Sequence, residues 1–354
     1  MTSGNYFKLY TMGSVPSEAY LLNQGNVYFF ATETDKYLVK GNNLILGASE
    51  LILDKLGGIS TNRMETAVTD HDSVIKKIPR EKFFASMNNF SFLINASMVI
   101  AKQVLLTNQI IQKTTAGLEG NEKKLKELAI EYYRIVHRLK TEYDKRRLPW
   151  LNSLIQKYET SLLCKRGEAL EKTAEPMKIS TPIMLSDTTL ELEKDSVLCE
   201  EGSMGEEMYI LQSGTVDVLI NGNRVTSISE SGYVFGEMAL LLGEKRSATL
   251  KAKNSLVVTR IHKSDLKKLA ENHGDVVLAI AVSLAKKHYF NKEKITTLNT
   301  MVIERSLDQE TRNPAQKPLD LQKCLTELLS LKKELGDTCQ AREADFLADL
   351  VENL

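Results

Sequence analysis

Apolar residues in positions 5–84 come in short runs, interrupted at Gly13, Pro16, Gly25, Gly41, Gly47 and the Gly57-Gly58 pair. Short runs with that punctuation predict strands and turns. From residue 90 the apolar period lengthens to three and four, and 90–115 reads as one helix. Gly117 and Gly120 break it. Asn121 is placed to cap a second helix whose Leu125, Leu128, Ala129, Tyr132, Val136, Leu139 and Tyr143 share one face. Pro149 stops that helix and suits the first turn of a third, which runs through Trp150, Leu154 and Tyr158 to about Thr173. Pro176 and Pro182 mark a linker. Short strands return over 183–272, separated by Gly202, Gly205, Gly214, Gly222 and Gly232, and Ser264 is placed to cap a short helix after them.

A long helix follows His273-Gly274. Its Val277, Ala281, Leu284, His288, Asn291, Ile295, Leu298, Val302 and Arg305 alternate at four and three, a seam that predicts pairing with another helix. Self-association through 277–305 is the expectation, with cover from the helices of 121–173 as the alternative. After Pro314 and Pro318 the tail reads as two helices split at Gly336. Leu321, Cys324, Leu325, Leu328, Leu331 and Leu335 come before the split, and Phe346, Leu347, Leu350 and Leu354 after it.

The two strand-rich segments repeat one another. Residues 19–27 align with 208–216 at an offset of 189, which also puts Gly13 on Gly202 and Leu46-Gly47 on Phe235-Gly236. Further along, 74–78 falls on 257–261 at an offset of 183. The difference of six places an insertion around 54–59. A duplicated domain with one remodelled loop has this signature.

The chemistry concentrates in 233–252. A strand end leads to Gly236, where the backbone can bend or approach a ligand closely. One apolar helical turn begins at Glu237, and its free N–H groups can face an anion. Arg246 can grip a phosphate with two parallel hydrogen bonds. Glu237 repels phosphate but accepts from sugar hydroxyls, as acidic residues do in dinucleotide sites. Small Ser247 and Ala248 leave room beside the arginine, and the Ser247 hydroxyl adds a donor. One phosphate and one ribose are the minimal description of a nucleotide.

The run Phe235-Gly236-Glu237-Met238-Ala239-Leu240, with Arg246-Ser247-Ala248-Thr249, resembles the phosphate-binding cassette of the cyclic nucleotide-binding domain family. That family includes the bacterial catabolite activator and the regulatory subunits of cyclic-AMP-dependent protein kinase. The resemblance implies an α+β chain of two jelly-roll barrels joined and followed by long helices. The segments are then 1–90 (a degenerate barrel), 91–176 (a helical connector), 177–305 (the binding domain with its long helix) and 306–354 (a helical tail). It implies that Gly236, Glu237, Met238, Ala239, Arg246, Ser247 and Ala248 bind a cyclic nucleotide monophosphate, with Tyr289, Phe290 or Asn291 placed for the base. Asn291 also reads as a buried polar residue fixing helix register. Ser247, where a threonine often accompanies cGMP in this family, favours cAMP.

The first copy departs from the pattern. Ala48 stands at the Glu237 position, and Arg63 lies opposite Arg246. Met64-Glu65 replace Ser247-Ala248, a carboxylate expected to repel phosphate. One nucleotide per chain is therefore expected.

Composition narrows the remainder. Lys plus Arg and Asp plus Glu are 46 each, so global charge gives nucleic acid no attraction. Lys145-Arg146-Arg147 reads as a solvated helix end. The catabolite activators' winged helix has no counterpart in the short tail, although a transcription regulator of another build remains the alternative function. Cys164, Cys199, Cys324 and Cys339 form no paired motif, and five scattered histidines give no metal spacing. No nucleophile or general base is aimed at a phosphodiester, so no enzyme is expected. The start lacks a basic-then-apolar leader, and 90–106 reads as too short and too polar to span a bilayer. A cytoplasmic, non-catalytic sensor acting on a protein effector is the expectation.

Overall fold

The computed structural model describes residues 6–173, 189–272, 274–310 and 320–347. The expectations for Pro176, Pro182, His273, Pro314, Pro318, Leu350 and Leu354, and for the Arg305 side chain, lie outside the described residues.

The first barrel holds β1 (Tyr6–Tyr10), β2 (Glu18–Phe30), β3 (Lys36–Gly41), β4 (Leu44–Leu46), β5 (Thr66–Asp70) and β6 (Val74–Pro79), with helix α1 (Ala48–Ile52) after β4. The long β2 serves both halves: it pairs with β4 and β6 at its start and with β3 and β5 at its end. Then come α2 (Arg80–Ser86), α3 (Phe90–Ala116), α4 (Gly120–Arg146), α5 (Pro149–Tyr158) and α6 (Leu162–Glu171). The second barrel holds β7 (Thr189–Leu192), β8 (Val197–Cys199), β9 (Glu207–Ser213), β10 (Val216–Ile220), β11 (Asn223–Ile228), β12 (Val234–Phe235), β13 (Thr249–Ala252) and β14 (Leu256–His262). Helix α7 (Glu237–Leu242) sits between β12 and β13, and α8 (Leu266–Asn272), α9 (Gly274–Glu310) and α10 (Leu321–Ala341) follow. Its strands form two antiparallel four-stranded sheets, ordered β11-β10-β13-β8 and β12-β9-β14-β7. This is the jelly-roll arrangement, in an α+β chain.

The repeat holds pair by pair. Tyr20 opposes Leu46 as Tyr209 opposes Phe235, and Ala19 opposes Ile78 as Met208 opposes Ile261. The irregularity between Leu22 and Gln24 recurs between Val257 and Val258, at the same offsets. Two stretches with matching turn glycines have closed on the same register, which side-chain alternation enforces once one face is buried. The insertion is visible too: α1 runs on into a π-helical turn over Leu53–Gly57, whereas α7 stops at Gly243 in the left-handed region.

The chain divides into two compact units, Met1–Thr107 with Ala174–Tyr289, and Asn108–Thr173 with Phe290–Leu354. In the first unit a single core gathers Leu51 and Ile52 of the first barrel with Met208 and Leu240 of the second, and Phe83, Ile100 and Leu284 from α2, α3 and α9. The core of the second holds Tyr132, Leu139, Leu151, Leu163, Leu331 and Leu335.

Several sequence expectations need correction. Most of the α9 seam is buried within the chain: Val277, Ala281 and Leu284 lie in the core of the first unit and Leu298 in that of the second, while Val302 is exposed. An apolar stripe states that a face is buried, not against whom, so the expected dimer surface at the buried positions is already covered. The third helix is two helices, because Ser161 caps α6 by accepting from the Leu163 N–H at 3.0 Å. The tail helix passes straight through Gly336, since Leu331, Leu335 and Cys339 keep one buried face across it. A lone helical glycine costs only about 1 kcal/mol. Asn121 and Ser264 are not caps: α4 begins at Gly120 with Glu119 before it, and His262 Nδ1 accepts from the Ser264 N–H. Finally, α3 is 27 residues long and is long and apolar enough to cross a membrane by length and composition. Nine of its residues are nevertheless buried, among them Leu93, Ile100 and Val104 in the core of the first unit.

Packing between α4 and α6 depends on one glycine. A Cβ on Gly167 would lie 1.9 Å from the Ala129 carbonyl oxygen. Gly167→Ala is expected to destabilise the helical unit by about 1–3 kcal/mol, the usual cost of overpacking. Urea denaturation followed by circular dichroism checks this, and an unchanged midpoint would refute it.

Candidate functional site

The cassette is built on a backbone that only glycine permits. Gly236 ends β12 with φ of 83°, and a Cβ there would come within 2.5 Å of Arg246 Nη1. Arg246 is buried. Its Nη1 donates to the Gly236 carbonyl at 3.1 Å and its Nη2 to the Glu207 carbonyl at 2.6 Å, while the guanidinium lies 5.5 Å from the Tyr209 ring centre. The backbone around it is pinned as well: Arg246 N donates to Ser203 O at 2.7 Å, and Gly202 N donates to Arg246 O at 2.9 Å. Its Nε is buried without a hydrogen-bond partner. A buried charged donor left unsatisfied is costly and marks a place where a partner is wanted. Beside it opens a cleft of about 330 Å³, lined by Leu198, Cys199, Met204, Glu207, Tyr209 and His262. Burial pushes the Cys199 thiol up, against the pull of Arg246, so the thiol stays neutral.

Glu237 is also buried, and its carboxylate pairs with Lys287 of α9. Burial works to lower the Lys287 pKa, but the Glu237 charge and hydrogen bond hold it above its ordinary value. Met238 packs half-buried on the core of the first unit. Ala239 lies against Gly205, whose own Cβ would stand 2.3 Å from the Ala239 Cβ. Ser247 is exposed and Ala248 half-buried. Lys102 of α3 reaches Glu244 at 2.8 Å, just past the helical turn.

The structure thus brings Arg246 onto Gly236, while Glu237, Met238 and Ala239 meet Lys287, the core and Gly205. The cleft at Arg246 is lined by none of Glu237–Ala239, Ser247 or Ala248. The three residues expected at the base have other neighbours. Tyr289 packs on the core of the first unit, Phe290 lies 5.7 Å beneath Lys172, and Asn291 donates to Asn108 Oδ1 at 2.9 Å. Glu207, Tyr209 and Lys287 were not foreseen, because a backbone carbonyl, an aromatic wall and a helix lysine leave no motif.

The first cassette repeats the frame with a different occupant. Arg63 donates to the carbonyls of Gly47 and Glu18, the counterparts of Gly236 and Glu207, and Gly13 and Ser14 pin its backbone as Gly202 and Ser203 pin Arg246. Tyr10 covers the guanidinium at 4.3 Å, at the place of Cys199. The expected role of Glu65 needs correction. It accepts from Tyr37 Oη at 2.5 Å and from Gln103 Nε2 at 3.0 Å, and it faces His288 Nε2 at 3.3 Å. The carboxylate on Arg63 belongs to Glu50, at 3.0 Å. The signal was present: at offset 189 Glu50 falls on Ala239. Among the described residues no three His, Cys, Asp or Glu side chains gather as a metal set.

The second barrel is a cyclic nucleotide-binding domain by family: the model of the Cyclic nucleotide-binding domain matches residues 189–273. The expectation drawn from the cassette motif is met. Within that family the chain is similar to the cAMP-dependent protein kinase regulatory subunit of Candida albicans, 42% identical over 64 residues. The match spans 18% of this chain and 14% of that relative. Among solved structures, the chain resembles cAMP-bound PfPKA-R at 16% identity, over 77% of this chain and 73% of that one, with a TM-score of 0.26. It likewise resembles the regulatory subunit of a cAMP-independent protein kinase A from Trypanosoma brucei at 16% identity, over 77% and 76%, also with a TM-score of 0.26. Scores this low carry no weight for function.

Proposed function

We propose that the second barrel binds one cyclic mononucleotide, with cAMP preferred, and reports its presence to a protein effector without catalysis. The observation that carries this reading is Arg246: buried, fixed by two carbonyls, flanked by a cleft, and with Nε unsatisfied. A cyclic phosphate supplies the missing acceptor. Gly236, Met238 and Ala239 shape the cassette, Ser247 and Ala248 border the phosphate, and the second oxygen of Glu237 takes a ribose hydroxyl. The exposed Ser247 hydroxyl, in place of threonine, favours adenine over guanine. The domains serving this are 177–305 for the ligand and 1–90 as its degenerate companion.

Transmission is a matter of linkage, because a ligand that holds one arrangement of cassette and helix shifts the population toward it. The Glu237–Lys287 pair joins the ribose-binding carboxylate to α9 directly. The Candida albicans relative is named a kinase regulatory subunit, which makes a protein kinase the first effector to try. Isothermal titration of the full chain with cAMP and cGMP is expected to give one site per chain and tighter cAMP binding. Absence of binding by both nucleotides would overturn the reading.

A further inference from the structure

We infer that Glu50 is a tethered stand-in for the ligand's phosphate, and that it masks an anion site in the first barrel. The inference rests on the second cassette being a phosphate site. Glu50 is the fourth residue of the first cassette, counted from Gly47, and its side chain is only 3% exposed. One carboxylate oxygen meets Arg63 Nη1 at 3.0 Å, and the other accepts from the Met64 N–H at 3.0 Å. These are the two donors an anion would use: the cassette arginine and the backbone amide that follows it. The second cassette has Ala239 at this position, whose methyl group offers Arg246 no acceptor.

The hold on the arginine is the same in both barrels. The same two carbonyls hold each arginine, and a glycine with positive φ lets each guanidinium approach. Within that shared hold, Glu50 supplies the arginine with an anion that Ala239 does not. The charge is delivered from inside the cassette, so its effective concentration at Arg63 far exceeds that of any free ligand. Ala48, with no carboxylate for a ribose, restricts the unmasked site to phosphate itself.

The test removes the tether in the full chain, in an Arg246→Ala background so that the second barrel does not respond. Glu50→Ala is melted in sodium phosphate and in sodium chloride of equal ionic strength, beside the same chain carrying Arg63→Ala as well. That last variant subtracts the general stabilisation phosphate gives any protein. Glu50→Ala is expected to melt lower than its parent in chloride and to regain about 2–4 °C specifically in phosphate. Equal responses with and without Arg63 would overturn the inference. If Glu50→Ala does not fold in chloride, refolding in phosphate is the readout: recovery supports the surrogate, and failure there too refutes it. Glu50→Ala alone, with Arg246 intact, should still bind one cAMP. Absence of cAMP binding by the unmutated chain would count against the reading of the second barrel, whatever the phosphate result.

Discussion

Arg246→Ala is expected to weaken cAMP binding by about 10- to 150-fold, the equivalent of the 1.5–3 kcal/mol carried by a charged hydrogen bond. The loss is larger if the ligand excludes water from the guanidinium. The structure adds a cost in stability. Arg246 bridges Gly236 and Glu207 through their carbonyls, so its removal leaves two acceptors to find water. At about 1 kcal/mol for each net hydrogen bond, the variant melts a few degrees lower and remains folded at room temperature. Calorimetric affinity and melting temperature, measured on one preparation, separate the two effects. Undiminished affinity would remove Arg246 from the site, and loss of the fold would make it a structural residue.

Arg63→Ala should do the opposite. Glu50 is then a carboxylate sealed in the first unit without its counter-charge, a situation that costs about 3–5 kcal/mol. In a unit of this size that corresponds to a fall in melting temperature of roughly 6–20 °C. Nucleotide stoichiometry stays at one and affinity is unaltered, because the ligand meets only the second cassette. A normal melting curve would show that the buried pair contributes nothing. A weakened titration in a chain that remains folded would show that the first barrel takes part in binding.

The second cassette was legible because its requirements are local. A positive φ at Gly236, a short turn and an arginine ten residues later leave a continuous trace in the sequence. The repeat was legible for a related reason: offsets of 189 and 183 reappear as strand register, down to one shared irregularity. The occupant of the first cassette was misread because proximity in sequence was taken for proximity in space. Glu65 is two residues from Arg63 yet turns toward Tyr37, Gln103 and His288, whereas Glu50, thirteen residues away, lies on the guanidinium. Met64 and Glu65 form a bend ahead of β5, so the two-residue spacing does not hold the Glu65 side chain on the Arg63 side as it would in a strand. The α9 seam was legible only in part. Its period was right, but a period carries no information about which surface closes over it.

Two consecutive residues of α9 touch the two cassettes. Lys287 holds Glu237 of the second cassette, and His288, fully buried, touches Ser49 of the first at 3.1 Å. Adjacent positions on a helix are separated by 1.5 Å along its axis. The helix thus holds one contact to each cassette, through side chains on successive residues. A displacement of α9 along its axis would carry both contacts with it, so neither cassette could lose its α9 partner without strain on the other.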